Sequence, residues 1–151
     1  MIDISNARLT LRVLEGWLTA NDFRQNFSQR KQVTSDDYTE WVTTALCIEI
    51  KVDGGQIFLG IGLRAMANTF HPDEWEAWSE GVPLPLQLSD LGHQVDFITR
   101  YWLRAAERAG ADVTAAERAL EAIGLDWLER RFGWRPGETI SVVQGGAGSR
   151  R

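Results

Sequence analysis

Two runs of this chain set carboxylates among large aromatic rings. One spans Ser35, Asp36, Asp37, Tyr38, Thr39, Glu40 and Trp41. The other spans Pro72, Asp73, Glu74, Trp75, Glu76, Ala77, Trp78, Ser79 and Glu80. The chemistry of such a pattern is recognition. Rings bury large area at interface centres with few torsions to freeze. Carboxylates around them steer a cationic partner and speed its encounter. Asp36, Asp37, Trp41, Asp73, Glu74, Trp75, Glu76 and Trp78 are therefore the candidate partner-binding residues, with a basic protein as the expected partner. The same pattern also arises at an ordinary helix start, where acids stand opposite apolar residues and serve no partner.

A second set of residues suggests a pocket between sheet and helices: Cys47, Gly60, Gly62, His93, Tyr101 and Trp102. Glycine inside a strand lets another backbone or a ligand come close, and one of the chain's own helices could fill that place instead. Cys47 is the only cysteine, which rules out an intramolecular disulfide. Within a strand it reads as a small buried hydrophobe, and no neighbouring base marks it as a nucleophile. His93 and Asp96, three apart on a helix, could touch one metal ion but fall short of the three or four ligands zinc takes. Arg100, Arg104 and Arg108 form a basic row, with Asp96 and Glu107 in reach for local ion pairs. The chain has no nucleophile elbow, P-loop or dinucleotide fingerprint. No catalytic residue, cofactor or metal is assigned.

Composition narrows the classes further. The 151 residues are 44% hydrophobic and 25% charged, ordinary for a globular chain of one domain. That domain is expected over 1–144, with a mobile tail at 145–151. The net charge is −5, unevenly spread: residues 1–93 hold 13 acids and 7 bases, a net of −6, and residues 94–151 hold 8 acids and 9 bases, a net of +1. The acidic first part argues against nucleic acid, which needs basic surface. No stretch approaches the roughly 20 apolar residues of a membrane helix. Met1 to Asn6 lacks the basic start of a secretory signal, so a cytoplasmic location is expected.

The elements that must position these residues are legible to different degrees. Leu46, Ile48, Ile50 and Val52 alternate with Cys47, Glu49 and Lys51, and the alternation resumes with Ile57, Leu59, Ile61 and Leu63 after Asp53-Gly54-Gly55-Gln56. A two-residue turn at Gly54-Gly55 pairs Val52 with Ile57 and Leu46 with Leu63, so all eight apolar residues share one face. Tyr38–Thr44 extends the first strand upstream. Arg8–Val13 alternates and reads as a strand, although Leu9, Val13 and Trp17 are also spaced for a helix. Asn21 is a candidate cap for a short helix holding Phe23 and Phe27, and 29–37 reads as a loop.

Downstream the pattern turns helical. Pro72 opens a short helix behind His71, and Gly81 closes it. Residues 82–85 are extended by their prolines. Ser89 or Asp90 starts a helix whose stripe is Leu91, Val95, Ile98, Trp102, Ala105 and Ala109. Thr114 to Glu117 forms a capping box for the last helix, which Gly124 could split and Gly133 ends. Thr139–Val143 reads as a closing strand.

Strands early and helices late give an α+β fold. Its antiparallel sheet centres on the hairpin at about 43–64. An antiparallel pair of helices, about 90–109 and 115–132, covers one face. Functionally this profile fits a small protein-binding module that neutralises or escorts a basic partner, as an immunity protein or a chaperone does. A small-molecule binder or enzyme using the second set is the alternative, and a homodimer seamed at the hairpin edge or the Trp-rich helix is a third reading.

Overall fold

The sheet is built around the hairpin. In a computed structural model describing residues 4–26 and 37–134, β3 (Leu46–Asp53) and β4 (Gln56–Leu63) pair antiparallel with Leu46 opposite Leu63, Ile48 opposite Ile61 and Val52 opposite Ile57. Gly54 and Gly55 take φ of 60° and 83°, the left-handed backbone that this tight turn requires. The register matches the one expected from the alternation.

Upstream, two expectations are corrected. Tyr38–Thr44 does not extend β3. Asp37–Val42 is a separate strand, β2, antiparallel to β3, with Trp41 opposite Ile48 and Glu40 opposite Glu49. The turn between them is held by Thr43, whose Oγ1 accepts from the N–H groups of Ala45 and Leu46. A two-residue strand, β1 (Arg24–Gln25), pairs with β2 and completes the order β1-β2-β3-β4. Arg8–Val13 is helical, inside α1 (Ile4–Ala20). Leu14 and Leu18 are fully buried and Leu11 packs beside them, a three-and-four spacing. Leu9 and Val13, which created the apparent alternation, are the exposed ones. Asn21 starts no helix. It closes α1, its Nδ2 donating to the Trp17 carbonyl, and Phe23 then drops into the core against Trp17 and Trp102.

The helices carry the rest of the core. α2 (Pro72–Glu80) follows β4, and α3 (Leu91–Phe97) runs through a π-helical turn at Ile98–Trp102 into α4 (Leu103–Gly110). The expected stripe of this long helix faces inward, with Val95, Ile98, Trp102, Ala105 and Ala109 all buried. α5 (Val113–Phe132) follows at once. Its N-cap is Asp112, which accepts from Ala115 N–H, so the capping box expected at Thr114 is not used. Gly124 is buried and does not interrupt the helix. α1 packs on α3, α2 and α4 meet β4, and α5 packs on α2 and α4. The result is an α+β fold with helices against a four-stranded antiparallel sheet. The expected strand at 139–143 and the tail at 145–151 lie outside the described residues, as do Phe27 and Asp36.

Candidate functional site

The acidic helix start is largely spent on the fold itself. His71 is the N-cap of α2: its Nδ1 accepts from Asp73 N–H at 2.9 Å. Glu74 reaches back to His71 N–H, also at 2.9 Å, and is fully buried. Asp73 is buried too, and its two oxygens accept from the N–H and Oγ of Ser89. These bonds satisfy orphan amides and tie the segment before α3 to α2. Trp75 is wholly internal. Its indole N–H donates to the Ile61 carbonyl, and its ring meets the edges of Trp78 and Trp102. Trp41 likewise faces the core, because β2 pairing puts it on the same face as Ile48. Asp37 is the first residue of β2. Of the eight residues expected at a partner surface, Asp73, Glu74, Trp75 and Trp41 are therefore internal, and only Glu76 and Trp78 are both described in full and partly exposed. Trp78 is itself engaged, with the Arg108 guanidinium 4.2 Å from its ring centre.

What remains open on this side is a cleft of about 250 Å³. Asp73, Glu76 and Glu80 line it from α2, Val82, Pro85 and Ser89 from the connecting segment, and His93 from α3. His93 Nε2 lies 2.7 Å from Glu76 Oε1. This hydrogen bond raises the imidazole above its ordinary value against a small opposing effect of burial, and the charges of Glu76, Asp73 and Asp90 add to the rise. Glu80 is exposed and makes no ion pair among the described residues. The cleft is thus a carboxylate-lined notch, only partly offset by one histidine.

The second expected set is not one pocket. Cys47, Gly60 and Gly62 lie on the sheet face opposite Ile48 and Ile61, whereas Trp102 is fully buried in the core on the helix side. His93 belongs to the acidic cleft, Tyr101 is exposed beside Phe97, and Asp96 pairs with Arg100 at 2.8 Å and not with His93. The glycines do admit a close neighbour, but it is a loop of this chain and not a helix, with a side chain against Gly60 and backbone against Gly62. A Cβ on Gly60 would stand 2.6 Å from Thr69 Oγ1, and one on Gly62 3.2 Å from the Asn68 carbonyl oxygen. Glu117 of α5 holds that loop down, accepting from Ala67 N–H at 2.9 Å and Asn68 N–H at 3.1 Å.

Under the loop sits a cluster that the sequence pattern did not reveal. Glu40 and Glu49 face each other across β2 and β3, an arrangement that is unfavourable for like charges unless donors surround it. Asn26 Nδ2 and Cys47 Sγ donate to Glu40, at 2.9 and 3.2 Å, while Tyr38 Oη and Thr69 Oγ1 donate to Glu49, at 3.0 and 2.9 Å. Burial pushes the Cys47 thiol far above its usual range. The hydrogen bond to Glu40 and the two carboxylate charges push it further, with Arg64 opposing weakly. One ligand atom from each of Glu40, Cys47 and Glu49 lies within 4.8 Å of the others, donor types that a divalent transition-metal ion accepts. Such an ion would have to displace the thiol proton. The signal for this cluster was the outward parity of Glu40 and Glu49, readable only once β2 is recognised as a strand of its own.

No protein-family model, curated protein or solved structure matches the chain.

Proposed function

We propose that this protein is a binding module for a basic protein partner, and that the acidic cleft between α2 and the start of α3 receives a lysine or arginine side chain of that partner. The observation that carries the reading is the exposed Glu80 beside Glu76 in a cleft whose internal counter-charge, among the described residues, is a single histidine. A guanidinium or ammonium group entering it gains carboxylate partners and competes with His93 for Glu76. The sharpest form is a neutraliser or escort of that partner, acting in the cytoplasm, where the lone thiol suits a reducing environment.

The test is capture from native lysate at low and high salt, followed by association kinetics with the recovered partner. Glu76→Gln combined with Glu80→Gln is expected to slow association by roughly tenfold at low salt and to flatten its salt dependence. A partner that binds the double variant at an unchanged rate overturns the cleft as its docking point. Trp75→Ala is unsuitable for this purpose, because Trp75 is core.

A further inference from the structure

Strand register brings a thiol and two carboxylates together on the outer face of the sheet. Glu40 and Glu49 stand opposite each other across β2 and β3, and Cys47 precedes Glu49 by two residues on the same face. One donor atom from each lies within 4.8 Å of the other two, and among the described residues no other three His, Cys, Asp or Glu donors converge so closely. Cys47 Sγ and Glu40 Oε2 are 3.2 Å apart. Two ligands of one tetrahedral zinc ion, at bond lengths of roughly 2.0–2.3 Å, stand about 3.5 Å from each other. Small side-chain movements therefore close this set on an ion.

Two further observations, independent of that convergence, bear on what the set would hold. The first is room. A cavity of about 200 Å³ adjoins the cluster, lined by all three donors and by Asn68 and Thr69 of the loop above. It accommodates an ion together with a water molecule. The second is the mixture of donors. Two carboxylates alone suit a calcium or magnesium ion, which takes oxygen ligands. A buried thiol beside them is a soft ligand, and that combination selects a transition-metal ion. Neighbouring groups also orient the carboxylates as an outer shell does: Asn26 holds Glu40 Oε1, and Tyr38 and Thr69 hold Glu49.

We propose that Glu40, Cys47 and Glu49 bind a divalent transition-metal ion of the zinc class, with water from the cavity as the fourth ligand. Binding forms a metal–sulfur bond as the S–H bond breaks, and the proton passes to solvent. The ion offsets two of the three negative charges its ligands then carry, and the Arg64 guanidinium, whose residue lines the same cavity, faces the remainder. The site shares no residue with the acidic cleft and does not depend on it.

The test is titration of the full-length protein with Co²⁺, followed by competition with Zn²⁺. Cys47 is the only cysteine, so a thiolate-to-cobalt charge-transfer band reports this site alone. The band is expected to saturate at one cobalt per chain and to vanish as zinc displaces it. Glu40→Gln and Glu49→Gln keep the shape of the side chain, and each is expected to weaken zinc binding at least tenfold while the far-ultraviolet circular dichroism persists. Glu76→Gln with Glu80→Gln, in the cleft, is expected to leave zinc binding unchanged. Absence of the charge-transfer band from the parent protein, a result that needs no variant to fold, overturns the proposal. A band of equal affinity in both single Glu→Gln variants also overturns it, and marks an adventitious ion on the thiol only. Zinc binding that is lost in the cleft variant overturns it as well, and moves the ion to His93 and Glu76.

Discussion

Cys47 and His93 are shifted by carboxylates in chemically opposite ways. At Cys47 burial first, and the carboxylates with it, oppose ionisation, so the thiol stays protonated and a poor nucleophile across the neutral range. Alkylation of the native protein at neutral pH is expected to run at least tenfold slower than that of the unfolded chain, as followed by mass spectrometry. At His93 a carboxylate favours the charged form. Its titration by NMR is expected above the ordinary histidine value of about 6.5, and Glu76→Gln should return it toward that value. The sign follows from the raised folded-state pKa. The His93–Glu76 pair contributes its full stability below the unfolded value and loses it as pH rises through the folded one. Because deprotonation also releases Glu76, a basic partner is expected to bind more tightly as pH rises through that same range.

The elements differ in how plainly their residues declare them. The β3–β4 hairpin was legible to the register, because Gly54-Gly55 and two matched alternations leave one solution. The β2–β3 turn was not, since Thr43 closes it with a hydroxyl and no glycine marks the place. α1 resembles a strand because apolar Leu9, Leu11 and Val13 alternate with Thr10 and Arg12, and it is the exposure of Leu9 and Val13 that places them on the solvent side of a helix. Half of the expected partner surface was misplaced for a related reason. The carboxylate of Asp73 is taken by Ser89, a contact 16 residues away that no local pattern announces. Gly60 is the clearest test of how sheet and loop fit. Gly60→Ala forces a Cβ to 2.6 Å from Thr69 Oγ1 and so disturbs the bond from Thr69 to Glu49. A loss of about 1–3 kcal/mol is expected in denaturant unfolding, the scale of overpacking. An Ala variant as stable as the parent would show that the loop does not rest on the strand as described.

Across the molecule, early and late parts of the chain do separate work. The meander of β2, β3 and β4 is closed by turns, so its contacts are local in sequence. The loop above its outer face is fastened by Glu117, about 50 residues further on. On a ribosome the strands can therefore pair well before the fastening carboxylate has been synthesised. During that interval the thiol of Cys47 has its strand neighbours but not its cover. A thiol that is a poor nucleophile in the finished protein is thus expected to be more open to oxidants while the chain is being made, for as long as elongation through α4 and the first turns of α5 takes.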